Sequence, residues 1–127
     1  RVRAAIADAV QAAEANDGAG VLAIVSPRYV DPDGRDRRAV EGLLRRYLLR
    51  HRPLYVYTRV PSVTFVRNDR AEAVVYAAMA GTRVDAPAEL ARLSASLYRF
   101  DLSFELEQDD WRVRAAAWRP AELVEFY

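Results

Sequence analysis

The spacing of the apolar residues changes once along the chain, and this change limits the fold more than any other feature of the sequence. Within residues 2–15, 19–25 and 35–50, apolar residues recur mostly three and four positions apart, which is the spacing of one face of a helix, and residues 28–34 between them form a short extended piece and a turn. From Leu54 onwards the spacing falls to two, as in strands whose successive side chains point to opposite faces. No internal repeat or linker divides the 127 residues, about the length of one domain. The sequence therefore predicts a single α+β domain over residues 1–127, with helices first and a sheet second.

Turn and capping signals divide the first part into three helices. The first covers residues 2–15 and ends at Asn16-Asp17-Gly18, because Asn and Gly accept the left-handed conformation found at helix C-termini. The second covers about 19–25 and ends at Ser26-Pro27. The third covers about 35–50. Its apolar stripe is predicted to face the core: Val40, Leu43, Leu44, Tyr47 and Leu48.

Four antiparallel strands are predicted after the helices, over residues 54–67, 70–82, 97–107 and 111–118, with a helical turn near 84–92. Three helices on such a sheet make two layers, and a sheet of long strands can curve into a cone that encloses a pocket. The inner face of the cone is predicted to carry Val63, Phe65, Val75, Tyr98, Phe100, Leu102, Phe104, Trp111 and Val113.

The composition excludes much of known catalysis. All 19 basic residues are Arg, so a Schiff-base lysine and a P-loop lysine are ruled out, and the lack of Cys rules out thiol nucleophiles and cysteine zinc sites. A single histidine, His51, means that a metal site would need mostly carboxylates, and no cofactor or metal is predicted. The net charge of +1 predicts neither a nucleic-acid partner nor an anionic membrane surface. No apolar run is long enough to be a transmembrane segment.

Several motifs resemble the nuclear-transport-factor-2-like (NTF2-like) superfamily, the cystatin-like cone that includes ketosteroid isomerase and SnoaL-like cyclases. They are the Asn16-Asp17-Gly18 break before Val21-Leu22-Ala23-Ile24-Val25, the Tyr29-Val30-Asp31-Pro32 strand, the closing Asp110-Trp111-Arg112-Val113 hairpin, and Trp118. The resemblance covers nearly the whole chain and is nearest to uncharacterised bacterial members. It implies a cystatin-like cone and says little about function, because this fold hosts many chemistries.

Ketosteroid isomerases use an aspartate base before a proline, and this resemblance places the base on Asp31. The oxyanion donors of that enzyme fall near Ala9 and Phe100, neither of which can donate a hydrogen bond from its side chain, while the neighbouring Asp101 is expected on the other sheet face. Asp31 is alternatively a turn former in Asp-Pro-Asp-Gly. His51 is a second acid–base candidate, paired with Asp31 or Asp101, or else a partner of the helix dipole.

Aromatic residues make the predicted interior suited to an apolar small molecule. The predicted pocket lining consists of Tyr29, Asp31, Tyr47, Tyr55, Tyr57, Tyr98, Phe100 and Trp118. The alternative is that the tyrosines are amphipathic core residues. Missing nucleophiles and oxyanion donors favour a non-enzymatic binding domain over a SnoaL-like or ketosteroid-isomerase-like enzyme that uses Asp31.

The outer face of the predicted sheet offers a second kind of site. Arg99, Arg112 and Arg114 alternate there with Glu72, Glu105 and Glu107, as expected for a solvated ladder of cross-strand pairs. Val74, Tyr76 and Ala78 make part of the same face apolar, which predicts a homodimer through the sheet. The resemblance to exported relatives adds a third alternative, a structural module of the bacterial periplasm or cell envelope with a leader or lipid anchor before Arg1. A cytoplasmic location is the other option.

Overall fold

The computed structural model describes residues 1–127 and confirms the α+β architecture with a curved antiparallel sheet. The helices are α1 (Val2–Glu14), α2 (Gly18–Leu22) and α3 (Arg37–Arg50), and the strands are β1 (Tyr55–Arg67), β2 (Arg70–Ala80), β3 (Ser96–Glu107) and β4 (Asp110–Pro120). Two short 3₁₀ helices cover Pro87–Arg92 and Leu123–Phe126. None of the helices combines the length and the apolar character that crossing a bilayer requires.

Polar side chains set the beginnings of two helices. Asp17 accepts a hydrogen bond from the backbone of Gly20, and Asp36 accepts one from Ala39, so both act as N-caps. Asn16 has a φ of 57°, which confirms the left-handed break after α1.

Two details of the predicted helices are wrong. The second helix ends at Leu22 rather than Val25, because Val25 forms a parallel bridge with Val113 on β4. Leu43 does not belong to the core stripe of α3, since it is 37% exposed and Leu48 is the fully buried residue of that helix. Leu43 lies at the edge of the stripe, where a rotation of the helix by a few tens of degrees decides burial.

The four strands pair in the order β1-β2-β3-β4, each antiparallel to the next. Register shifts interrupt the pairing in β1 between Arg59 and Ser62 and in β3–β4 at Ser103/Phe104, and such bulges bend a sheet. Phe65 on one edge strand and Trp111 on the other reach each other, with ring centroids 5.6 Å apart. The sheet is therefore strongly curled at this end.

The concave face of the sheet and the helices enclose the main core. Its fully buried members are Val2, Ile6, Leu22, Val25, Tyr29, Ala71, Ala73, Val75, Phe104 and Val113. The segment before α3 also covers the free edge of β4, because Ser26 and Val30 donate backbone hydrogen bonds to Val113 and Arg114 at 2.9 and 3.1 Å. This contact places Tyr29 and Asp31 next to the sheet.

A second apolar cluster covers the convex, outer face of the sheet. Its buried members are Tyr76, Ala78, Leu90 and Phe126, so the two 3₁₀ helices pack on the strands from outside. We call Leu123–Phe126 the outer strap. Phe126 is 1% exposed and meets the Tyr76 ring edge-on at a centroid distance of 5.8 Å.

Polar contacts hold the outer strap in place through Glu125. Arg119 contacts both carboxylate oxygens of Glu125 at 2.9 and 3.3 Å, and Arg59 donates to its backbone carbonyl at 3.2 Å. The hydrogen bonds from Arg119 and then from the Glu122 backbone N–H lower the pKa of the Glu125 carboxyl to about 2. The apolar patch of Tyr76 and Ala78 that led us to predict a sheet dimer is thus covered by the chain itself, and the dimer stays a prediction.

Candidate functional site

An arc of aromatic side chains lines the concave face where β3 and β4 run together. Tyr98 and Phe100 alternate with outward residues on β3, and Phe100 is paired with Trp118 on β4. The ring centroids of Tyr98 and Phe100 are 6.2 Å apart, as are those of Phe100 and Trp118. Neighbouring rings at these distances form one continuous apolar wall.

Tyr47 on α3 lies near Tyr98, one member of this wall, and its hydroxyl has no hydrogen-bond partner although it is shielded from solvent. Burial raises the pKa of the Tyr47 phenol, and the nearby Tyr98 phenol raises it further. A buried hydroxyl that bonds to nothing costs about 1–3 kcal/mol. A bound molecule with a polar group beside the Tyr47 hydroxyl would remove this cost.

His51 lies one turn after Tyr47 and stacks on it, with ring centroids 3.9 Å apart and an angle of 14° between the planes. Its Nδ1 is 2.8 Å from the carbonyl oxygen of Tyr47, and it caps the C-terminus of α3. It makes no hydrogen bond to Asp31 or Asp101, so the structure does not assemble the proposed dyad. The arrangement matches the helix-terminal alternative.

Asp31 is buried, and hydrogen bonds occupy both of its carboxylate oxygens. Oδ1 accepts from the backbone N–H groups of Asp33 and Arg35, both at 3.0 Å, and Oδ2 accepts from the Tyr29 hydroxyl at 2.9 Å and the Arg35 guanidinium at 3.4 Å. Burial alone would raise the pKa of Asp31, but these hydrogen bonds outweigh burial and lower it. A carboxylate bound in this way closes the turn and is a weak base.

We expect the Asp31→Asn variant to lose about 1–3 kcal/mol of unfolding free energy, because the amide cannot accept from both Tyr29 and Arg35. Urea denaturation of the variant measures this loss. Asp33→Asn is the matched control, since Asp33 is exposed and its side chain contacts only Arg35. Equal stabilities for wild type and Asp31→Asn would contradict the structural role.

The guanidinium of Arg35 connects the Asp31 turn to the aromatic arc. It lies 4.7 Å from the centre of the Trp118 ring and pairs with Asp31 and Asp33. Stacking of this kind orients both partners. Sequence reasoning missed Arg35, because nothing in the pattern distinguishes it from the other arginines near α3.

The remaining predicted pocket residues do not join the arc. Tyr55 and Tyr57 pair with Ala80 and Ala78, which places both tyrosines on the outer face, and Tyr57 packs against the cluster under the outer strap. The alternation along β1 correctly predicted that Tyr55 and Tyr57 share one face of the sheet. Simple alternation from the inner residue Val63 would place both tyrosines on the inner face. The bulge between Arg59 and Ser62 reverses the alternation, so both lie on the outer face.

The structure also locates the residues at the expected oxyanion positions. Ala9 lies on α1 and offers no donor. Asp101 pairs with Val74 and contacts Arg99 at 2.9 Å, on the outer side of the sheet. Ala9 and Phe100 carry no polar side chain, and Asp101 lies on the outer face, so none of the three donates a side-chain hydrogen bond into the interior.

The architecture is shared with a large group of solved structures. An NTF2-like protein of unknown function from Shewanella oneidensis superposes with a TM-score of 0.71 at 10% identity, covering 92% of this chain and 94% of that one. A domain of unknown function with a cystatin-like fold from Nostoc punctiforme superposes with a TM-score of 0.70 at 15% identity, covering 98% and 77%. The chain has the NTF2-like fold.

Other NTF2-like structures bear names that suggest an activity. A candidate scytalone dehydratase from Novosphingobium aromaticivorans superposes with a TM-score of 0.71 at 14% identity, covering 95% of this chain and 82% of that one. No protein-family model and no curated protein matches the chain. At these sequence identities the similarity shows a shared fold only, so the function has to be argued from the residues of the site.

Proposed function

We propose that this NTF2-like domain binds a small apolar or aromatic molecule inside the cone, without converting it. The observation that carries the proposal is the buried Tyr47 hydroxyl, which lacks a hydrogen-bond partner and lies near the Tyr98 phenol. A ligand that supplies an acceptor or donor there would recover the lost hydrogen bond, while its rings pack on Tyr98, Phe100 and Trp118.

The state of Asp31 supports binding over catalysis. A general base must be free to take a proton and have a pKa near the working pH. Asp31 is held by four hydrogen bonds, and its pKa lies below the usual value. The missing oxyanion donors argue in the same direction.

Entry to this site is expected on the side of α3. Leu48 is the only fully buried residue of this helix, and Val40 and Leu44 are partly buried against the main core. A helix with one fully buried residue opens at a lower free-energy cost than a helix buried along its whole inner side. Movement of α3 would also carry Tyr47 away from the wall and let a ligand reach its hydroxyl.

The proposal predicts saturable binding of the fluorescent probe anilinonaphthalene sulfonate to the folded protein. We expect Tyr47→Phe to weaken this binding about 10-fold, the worth of one hydrogen bond of roughly 1.4 kcal/mol. Tyr57→Phe is the matched control, because Tyr57 lies on the outer face, and it should leave the affinity unchanged. Equal affinities of wild type and Tyr47→Phe for the probe would show that the probe does not bind at the Tyr47 hydroxyl, and this would contradict the proposal.

An enzyme of the SnoaL-like type is the competing outcome. Turnover of a ketosteroid or a polyketide-like substrate, abolished by Asp31→Asn in a protein that is still folded, would overturn the binding-only proposal. Turnover abolished by His51→Gln would overturn it as well and would assign the acid–base role to His51.

A further inference from the structure

The charges of the chain are distributed unevenly, which its net charge of +1 conceals. Residues 35–52 contain seven of the 19 arginines and only two of the 18 acidic residues. This segment therefore carries a formal charge of +5, and the rest of the chain carries −4. The expectation that no anionic surface is involved rested on the total charge and not on its distribution.

The excess positive charge lies on the solvent side of α3. A helix repeats about every 3.6 residues, so Arg38, Arg45 and Leu49 follow one stripe of α3, while Leu43, Arg46 and Arg50 follow the next stripe around. Arg52 lies two residues beyond the end of the helix. All seven are exposed, and the opposite side of α3 carries Val40, Leu44, Tyr47 and Leu48. We call the seven residues the arginine face.

Most of these arginines have no partner within the chain. Arg45 makes an ion pair with Glu41 at 3.4 Å. The side chains of the other four, Arg38, Arg46, Arg50 and Arg52, form neither a salt bridge nor a hydrogen bond, unlike Arg37, which donates to two backbone carbonyls. A cluster of unpaired guanidiniums on and just after one helix is repulsive within the protein, and an anionic surface relieves this repulsion.

Apolar groups among the arginines indicate which anionic surface fits. Leu49 is 62% exposed in the middle of the face. A hollow of about 270 Å³ opens beside it between α2 and α3. Its apolar lining is Leu22, Leu44 and Leu48, and its charged lining is Arg45, Arg52 and Glu41, the ion-pair partner of Arg45. Nucleic-acid surfaces would be met by guanidiniums and stacking aromatics, whereas exposed leucines and an apolar hollow suit lipid chains below charged headgroups.

We propose that the arginine face docks this domain onto a bilayer surface containing anionic phospholipid. The guanidiniums contact headgroup phosphates, and Leu43 and Leu49 enter the boundary of the acyl chains. This docking is independent of whether the cone binds a ligand. It uses the outer side of α3, while the proposed ligand site uses its inner side.

Co-sedimentation with vesicles tests the proposal. We expect the wild-type protein to sediment with mixed phosphatidylcholine–phosphatidylglycerol vesicles and to stay in solution with pure phosphatidylcholine. The triple variant Arg38→Gln/Arg46→Gln/Arg50→Gln should bind the anionic vesicles about 100-fold more weakly, since each basic residue near such a surface contributes roughly 1 kcal/mol. Leu49→Ser, which keeps every charge, should weaken binding several-fold.

A control triple variant separates the arginine face from total charge. Arg67→Gln/Arg83→Gln/Arg92→Gln removes the same charge from exposed positions outside α3 and should bind the vesicles like wild type. The proposal is overturned if the wild-type protein does not sediment with the anionic vesicles, or if both triple variants lose binding to the same extent. It is also overturned if the protein binds duplex DNA more tightly than vesicles at the same salt concentration.

Discussion

Phe126→Ala is expected to lower the free energy of unfolding by about 3 kcal/mol, the lower end of the usual cost for a buried phenylalanine. Phe126 is 1% exposed and anchors the outer strap on Tyr76. Its loss leaves a cavity and exposes the apolar patch around Ala78 to water. Urea denaturation gives the loss directly.

Val124→Ala is the matched control for this effect. Val124 belongs to the same strap but is 72% exposed, so its truncation should cost less than about 0.5 kcal/mol. If Phe126→Ala were no more destabilising than Val124→Ala, the strap would not pack on the sheet in solution. Light scattering adds a second readout, because a patch uncovered in Phe126→Ala is expected to promote self-association, whereas Val124→Ala stays like wild type.

Glu105→Gln is the second large effect, with an expected loss of about 2–3 kcal/mol. Glu105 is 8% exposed, and its carboxylate contacts Arg28, Arg70 and Arg114, the last two at 2.8 and 3.0 Å. Removing its charge leaves Arg70 and Arg114 without an anionic partner, while Arg28 keeps Glu107 at 3.1 Å. This costs more than the loss of one exposed ion pair. Glu72→Gln is the control, because Glu72 is exposed on the neighbouring strand, and it should cost less than about 0.5 kcal/mol.

The stability difference between wild type and Glu105→Gln is also expected to depend on pH. Burial alone would raise the pKa of Glu105, but the hydrogen bond from Arg114 and the charges of Arg28, Arg114 and Arg70 hold it below the usual value. A carboxyl of this kind contributes stability above its unfolded pKa, about 4.3, and loses it as the pH falls through the lower folded pKa. The difference in unfolding free energy between wild type and Glu105→Gln should stay constant above about pH 5 and become smaller below about pH 4. A gap that widens in acid would contradict this.

The sequence predicted the architecture because its signals are local. The spacing of apolar residues and the breaks at Asn16-Asp17-Gly18 and Ser26-Pro27 depend on neighbours along the chain, and the structure confirms the three helices and four strands. The inner residues of β3 and β4 follow from the alternation in the same way. Each of these features is decided within a few residues.

The site was less accessible to prediction, because its contacts join distant parts of the chain. Arg35 over Trp118 spans 83 positions, and no local pattern selects that pair. The outer strap escaped prediction as well, since four residues are too few to show a periodicity. The two faces of β1 depended on a bulge that has no signature in the sequence apart from Pro61. The compartment, the sheet dimer and the ligand stay predictions.

The free energies of unfolding of Tyr47→Phe and Tyr29→Phe, measured side by side without ligand, test the central claim most directly. Both variants remove one buried phenolic oxygen from the cone. Tyr29 donates to Asp31 at 2.9 Å, so Tyr29→Phe should lose about 1–2 kcal/mol, whereas Tyr47→Phe should gain about 1 kcal/mol, because it removes a hydroxyl that bonds to nothing. A loss in Tyr47→Phe as large as that in Tyr29→Phe would show that the Tyr47 hydroxyl already has a partner and is not reserved for a ligand.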